Sequence, residues 1–186
     1  MRLALATSDI GAAPKVVGLI LALHTDADGT HAFPAPRTIA AYAGKTEHRT
    51  KADLRLLQKT GWINPSPDGF QLAIPTLQPP QPIGAGPWIH GWLKALIWQP
   101  AYTAAERLVG AALGLTGDHM HPGVPLLATQ THLSRRVVSQ ALGGLRESGV
   151  IRRIRDRRST GAPINDRYVL GSADPAWITA RTAHTQ

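Results

Sequence analysis

Residues 36–63 read PRTIAAYAGKTEHRTKADLRLLQKTGWI, residues 124–151 read VPLLATQTHLSRRVVSQALGGLRESGVI, and the two stretches align without a gap. The identical positions pair Ala40 with Ala128, Leu54 with Leu142, Leu57 with Leu145, Gly61 with Gly149 and Ile63 with Ile151. In each stretch the two leucines are spaced i, i+3 and share one helix face. The glycine suits a left-handed helix end and the isoleucine suits the start of a strand. The chain therefore contains an internal repeat.

A further helix is predicted before each copy of the repeat. The apolar run at residues 15–24 follows Pro14, a residue type that is tolerated in the first turn of a helix. Before the second copy, Thr103 and Glu106 have the spacing of a capping box, which predicts a helix from there to about residue 115.

A β-hairpin is predicted after each copy. Residues 62–74 have the form strand, turn, strand, with Asp68-Gly69 as the hairpin signal. After the second copy, residues 151–154 and 167–170 are short strand candidates that pair across a longer loop. Each half of the chain thus has the order helix, helix, turn, helix, strand, turn, strand.

That order is the one of the winged helix-turn-helix, so the sequence predicts a mainly α fold with small β-hairpin wings (α+β), built from two such domains in tandem. The predicted segments are 1–75 for the first domain, 76–101 for a Pro-rich linker and a short aromatic helix, 102–175 for the second domain and 176–186 for a C-terminal tail. In the aromatic helix, Trp88, Trp92 and Trp98 predict a contact that either joins the domains or docks a second subunit or a protein partner.

The stretch LATQTHLSRRVVSQALGGLRESGVIRR resembles the helix-turn-helix of bacterial winged-helix regulators such as the GntR and MarR families. The matching positions are Ala128, Ser134, Arg135, Arg136, Val138, Leu142, Leu145 and Gly149. The resemblance implies a winged-helix fold and DNA binding, without the ligand response of the GntR family, because the sequence has no long effector-binding segment. The tandem arrangement is similar to that of plasmid replication initiators, and to segregation and condensation protein B, which uses its winged helices for protein contacts.

The charge of the chain favours a polyanionic partner. Lys and Arg number 20 against 12 Asp and Glu, which gives a net charge of +8 and a pI near 10.6. Residues 134–158 are the strongest electrostatic feature, with eight arginines and two acidic residues. Arg is the preferred residue for phosphate forks and for narrow minor grooves. The alternative is a solvated charged hairpin without a partner.

Most candidate DNA-binding residues lie in the second predicted domain. The helix that begins after Ser134 has a predicted buried face of Val138, Ala141, Leu142 and Leu145. Its predicted outward residues are Arg135, Arg136, Val137, Ser139 and Gln140. Arg and Gln side chains make bidentate contacts with base edges in the major groove. Candidate phosphate contacts are Ser134 at the start of the helix, Thr129 and Thr131, which precede it, and the wing residues Arg152, Arg153, Arg155, Arg157 and Arg158.

The first copy is a weaker candidate for reading DNA. Its candidate contacts are Arg37, Lys45, Thr46, His48, Arg49 and Lys51. Residues 1–75 carry eight basic and six acidic side chains, and the predicted wing NPSPDG has no positive charge. This unit is expected either to bind a second half-site or to act as a dimerisation or docking module.

Several other classes of site are disfavoured. The chain has no cysteine, which excludes disulfides, thiolate metal ligands and a Cys nucleophile. His119 and His121, with His132, are better explained as solvated residues than as metal ligands. With no Walker loop, Rossmann pattern or nucleophile elbow, the sequence predicts no cofactor, no metal and no enzyme. Without a secretory signal or a membrane-length apolar stretch, a cytoplasmic, nucleoid-associated bacterial protein with no membrane partner is expected.

The sequence therefore predicts sequence-specific binding of double-stranded DNA, by a recognition helix in the major groove and an arginine-rich wing on the backbone or minor groove. Such a protein would be a transcriptional regulator or a plasmid or phage replication or partition factor. The alternative is a tandem winged-helix scaffold for protein interactions in a chromosome or plasmid maintenance complex.

Overall fold

The computed structural model describes residues 10–24, 34–67, 69–73, 88–116, 122–154 and 167–171. Within these ranges the protein is mainly helical, with two small antiparallel β-hairpins. The elements are α1 (Ala12–Ala22), α2 (Pro36–Ala43), α3 (Glu47–Lys59), β1 (Ile63–Ser66), β2 (Gly69–Leu72), α4 (Trp88–Ile97), α5 (Ala104–Thr116), α6 (Val124–Thr131), α7 (Arg135–Glu147), β3 (Ile151–Ile154) and β4 (Arg167–Leu170). The first unit comprises α1–α3 with β1 and β2; the second unit comprises α5–α7 with β3 and β4.

The ends of α3 and α7 confirm the repeat in atomic detail. Thr46 caps α3 by accepting from the Arg49 N–H at 3.4 Å, and Ser134 caps α7 by accepting from the Val137 N–H at 3.3 Å. Past the other ends, Gly61 and Gly149 have φ angles of 74° and 73°, in the left-handed region that glycine adopts without steric cost. The helix starts and stops predicted from the repeat are therefore confirmed.

The two hairpins have the same register. Ile63 pairs with Leu72 at the base of the first hairpin, and Ile151 pairs with Leu170 at the base of the second. Both predicted strand pairs are confirmed. Asp68, predicted to lie in the turn, and residues 155–166, predicted to form the longer loop, are outside the described residues.

The helix predicted before each copy is present. The first begins at Ala12, which is earlier than expected and places Pro14 inside its first turn, where its missing N–H has no intrahelical partner to lose. The capping box of α5 is confirmed. The Thr103 N–H donates to Glu106 Oε2 at 2.7 Å, and the Glu106 N–H donates to Thr103 Oγ1 at 3.2 Å.

The hydrophobic core runs through both units without a break. α1 and α5 pack against each other, and each also packs against the third helix of its own unit. Leu57 of α3 and Leu145 of α7 are both fully buried. Burial of this kind contributes about 1.5–3 kcal/mol for each leucine side chain.

The aromatic helix α4 covers α5 and contacts α1. Trp92 is 3% exposed, which favours the first of the two predicted roles of the tryptophans, a contact that joins the domains, over the docking of a partner. A Cβ at Gly110 would collide with Leu96, so this glycine permits the close approach of α4 to α5. Trp98 is half-buried and stacks on Tyr42 and His24, with ring centroids 4.8 and 4.7 Å apart. The side chain of Trp88 is outside the described part of the chain.

Candidate nucleic-acid interface

Helix α7 separates an apolar face from a polar one. Its buried residues are Val138, Ala141, Leu142 and Leu145, as the sequence predicts. Arg135, Arg136, Ser139 and Gln140 are exposed, whereas Val137 is half-buried. The burial of one stripe fixes the rotation of the helix about its axis, so the four exposed side chains are held on the surface together.

The N-terminal turn of α7 is positively charged, both through its backbone N–H groups and through its arginine side chains. It contains no acidic residue, and within the described residues neither Arg135 nor Arg136 forms an ion pair. The free backbone N–H groups of a helix N-terminus carry a partial positive charge and favour a phosphate there. The arginine side chains add to that field, so this turn attracts anions and can present guanidinium groups to a base edge.

The hairpin predicted to be the wing is described only at its base. Arg152 on β3 is exposed and Arg153 is half-buried, and both follow α7 in the chain. Arg155, Arg157 and Arg158, which carry the rest of the predicted arginine run, lie outside the described residues.

The two threonines before α7 have different positions. Thr129 is exposed, and its hydroxyl donates to the Pro125 carbonyl at 3.1 Å. Thr131 is fully buried, its hydroxyl donates to the Leu127 carbonyl at 2.7 Å, and its own carbonyl accepts a bond from Lys15. The expectation that Thr131 contacts phosphate is therefore wrong, because its polar atoms are inside the protein.

The candidate residues of the first unit form a surface of mixed charge. Arg37, Thr46, His48, Arg49 and Lys51 are exposed on α2 and α3 or at the cap between them.

Two of the first unit's lysines have acidic partners on α3. Lys45 is half-buried and forms an ion pair with Asp53. Lys51 forms an i, i+4 pair with Glu47 at 2.7 Å. The hydrogen bond and charge of Lys51 lower the pKa of Glu47, with a smaller contribution from Arg37. A phosphate approaching this face therefore meets carboxylates as well as cations.

Sequence reasoning missed two exposed cations of the first unit. Arg55 and Lys59 follow Lys51 at successive four-residue steps and are exposed on α3. Their i, i+4, i+8 spacing could have predicted that the three cations lie together, because residues so spaced share one helix face.

Sequence reasoning also missed the two buried cations of the core. Lys15 on α1 is 1% exposed and Arg107 on α5 is 2% exposed. Lys15 Nζ donates to the Thr131 carbonyl at 3.1 Å, and an Arg107 terminal nitrogen donates to the Tyr42 carbonyl at 3.0 Å. Burial lowers the pKa of Arg107 to about 10, against the opposing effect of the Glu106 charge. The guanidinium is still charged at neutral pH and bonds across the two units.

The signal for these cations lies in the first helix of each unit. Residues 12–21 read AAPKVVGLIL and residues 104–113 read AAERLVGAAL, which extends the internal repeat by another helix. Lys15 and Arg107 occupy the same position in the two segments. A cation at the same position of two mainly apolar helices indicates a buried partner.

Among the described residues, no three His, Asp or Glu side chains come together in a group able to hold a metal ion. His119 and His121 lie outside those residues. In the same part of the chain, every helix is too short or too polar to cross a membrane.

Comparisons of the chain with protein-family models, with curated proteins and with solved structures find no match. The functional assignment therefore depends on the geometry of this molecule alone.

Proposed function

We propose that the protein binds double-stranded DNA with sequence preference, as a tandem winged helix-turn-helix protein. In this proposal α7 enters the major groove, and the β3–β4 hairpin with its arginine loop lies on the backbone or in the minor groove. The cellular role would be that of a transcriptional regulator or a plasmid or phage replication or partition factor.

One observation carries the proposal: a helix capped by Ser134, anchored by a fully buried apolar stripe, exposes Arg135, Arg136, Ser139 and Gln140 at its N-terminal end. Reading base edges requires side chains with donors and acceptors held in a fixed orientation, and this helix supplies both conditions. Exposed Arg152 beside it extends the positive surface towards the backbone.

The alternative of a protein-interaction scaffold has less support. That function calls for an exposed tryptophan surface, but Trp92 is buried against α5 and Trp98 is stacked on Tyr42. Neither indole is presented to a partner as a free aromatic anchor.

The test is selection of bound duplexes from a random-sequence pool by the full chain, followed by affinity measurements on the selected site at several salt concentrations. We expect a shared sequence, and affinity that falls linearly with salt on logarithmic axes. Arg135→Ala should reduce discrimination between the selected site and a variant base by roughly 1–3 kcal/mol.

Arg146→Ala is the matched control. It removes the same charge from an exposed position of the same helix, about 16 Å further along the axis. This variant should keep the base preference, and any loss of affinity should be the same for every duplex. Absence of duplex binding, or equal retention of all sequences by the unaltered chain, would refute the proposal.

A further inference from the structure

The two units hold each other through a pair of reciprocal contacts. Lys15 is the fourth residue of α1, and its ammonium donates to the carbonyl of Thr131, the last residue of α6 in the second unit. Arg107 is the fourth residue of α5, and its guanidinium donates to the carbonyl of Tyr42, next to last in α2 of the first unit. Each buried cation thus reaches the C-terminal end of the second helix of the other unit.

Such a contact satisfies a definite need of each helix. The last four carbonyls of a helix have no partner within it, and they carry a partial negative charge. A buried ammonium or guanidinium supplies the missing hydrogen-bond donor and a positive charge beside the negative helix end. The carbonyl in turn offsets part of the cost of burying the cation. The pair therefore fixes the orientation of the units as well as their proximity.

The presence of both contacts also distinguishes a two-fold arrangement of the units from a head-to-tail arrangement. In a two-fold arrangement, contact of position i with position j is always accompanied by contact of j with i. A head-to-tail arrangement would give one of these contacts without the other. Lys15 and Arg107 are equivalent positions, and their acceptors, Thr131 and Tyr42, lie one position apart in the aligned repeat. Since α1 also packs directly on α5, these contacts indicate an approximate local two-fold axis between the units.

From this arrangement, and resting on the proposed DNA binding, we infer that one chain acts as an intramolecular dimer that recognises an inverted pair of unlike half-sites on one duplex. A two-fold pair of recognition helices matches the two-fold symmetry of the duplex backbone, with half-site centres about 10 base pairs apart or a multiple of that. The half-sites differ because the two reading surfaces differ.

The two half-sites are expected to differ because α3 and α7 carry different side chains at equivalent positions. Glu47 and His48 stand where the second unit has Arg135 and Arg136, and Lys51 stands where it has Ser139. All of these side chains are exposed. The α7 half-site should therefore be read mainly through arginine contacts, and the α3 half-site through a different and less basic set.

The test uses the full chain on its selected duplex. Sedimentation should give one chain for each duplex, and footprinting should give two protected segments in inverted orientation. Arg49→Ala should weaken protection of one segment and Arg135→Ala that of the other.

Spacer variants of the same duplex test the rigid connection without changing the protein. Inserting five base pairs turns one half-site to the opposite side of the duplex, and should lower affinity on the order of 100-fold by removing the second contact. Inserting ten base pairs returns the half-site to the original side of the duplex but leaves the two half-sites too far apart for a rigid chain, so affinity should stay low. Recovery at ten base pairs would indicate a flexible tether and overturn the inference.

Two chains on each duplex, direct repeats or a single protected segment would likewise overturn the inference while leaving the proposed DNA binding intact. Failure of the chain to bind any duplex would instead remove the proposed function itself.

Discussion

Helices α3 and α7 are built alike but carry different surfaces. Both have 13 residues, both begin after a hydroxyl cap, and both end in a hydroxyl residue that bonds back to the last-turn carbonyls, namely Thr60 and Ser148. Their charges are arranged differently. In α3, Glu47 opens the first turn and pairs with Lys51, whereas the first turn of α7 contains no acid. The repeat therefore preserves backbone and core, while the outward positions have diverged.

A second difference lies beneath these helices. Glu106 of the α5 capping box lies so close to Gly144 that a Cβ there would collide with it, at 3.1 Å from the carboxyl carbon. In the first unit the equivalent positions are Pro14 and Leu56, and Leu56 is 37% exposed. In the second unit a carboxylate on α5 thus lies against a glycine on α7, a pairing that the first unit does not have.

The largest expected effect tests whether the two units unfold as one. Leu57→Ala and Leu145→Ala remove equivalent, fully buried side chains, and each should lower the free energy of unfolding by about 2–5 kcal/mol. Because the core is continuous and the units are bonded to each other, each variant should show a single transition. Denaturation followed by circular dichroism and by tryptophan fluorescence measures this.

The control for this comparison is Leu56→Ala, next to Leu57 but on the exposed side of α3, which should change stability by less than about 0.5 kcal/mol. Two separate transitions, in which only the substituted unit melts early, would show that the units are independent and would contradict the common core.

A smaller effect should come from the buried cations. Lys15→Met and Arg107→Met each remove a charged donor from a buried carbonyl, which should cost roughly 1.5–3 kcal/mol of stability. Arg107→Met also removes the bond that Arg107 Nε donates to the Tyr102 carbonyl at 3.0 Å.

Lys59→Met is the matched control for these variants, since it removes the same kind of charge from an exposed position of α3. Thermal and denaturant unfolding of the three variants measure the difference. Equal stability of Lys59→Met and Lys15→Met would show that the contact between the units contributes nothing.

Local patterns were sufficient to predict the elements of this fold. The start of α7 after Ser134 and its buried stripe depend on a cap and on i, i+3 and i, i+4 spacing, which lie within a few residues of each other in sequence. The two strand pairs, one within residues 62–74 and the other of 151–154 with 167–170, were predicted for the same reason, because their strand and turn signals are close in sequence.

Contacts between distant segments could not be predicted in this way. Thr131 was expected to face phosphate, but Lys15 lies 116 residues away in the chain and covers its carbonyl. For Trp92 the sequence left two roles open, joining the domains or docking a partner, because the spacing of tryptophans on one helix does not reveal which element covers them. In both cases the sequence indicated the residue type, and only the packing of α1 and α4 determined its role.

The smallest expected effect concerns the two adjacent glycines of α7. Nothing lies within 4 Å of a Cβ built at Gly143, whereas one at Gly144 meets Glu106. Glycine in a helix interior is less favourable than alanine by roughly 0.5–1 kcal/mol, so Gly143→Ala should raise the free energy of unfolding by up to that amount. Gly144→Ala gains the same stability from the higher helix propensity of alanine, but it must displace Glu106 from its bonds to Thr103.

Chemical denaturation of the two variants side by side separates these contributions, because the substitution, the helix and the depth along it are nearly the same. Gly143→Ala should be more stable than Gly144→Ala. Glu106→Ala removes the collision, and it removes the capping bonds to Thr103 from both variants alike, so in that common background the two glycine substitutions should be almost equally stable. If the two single variants were already equally stable with Glu106 in place, Glu106 would not be the reason for the glycine at position 144.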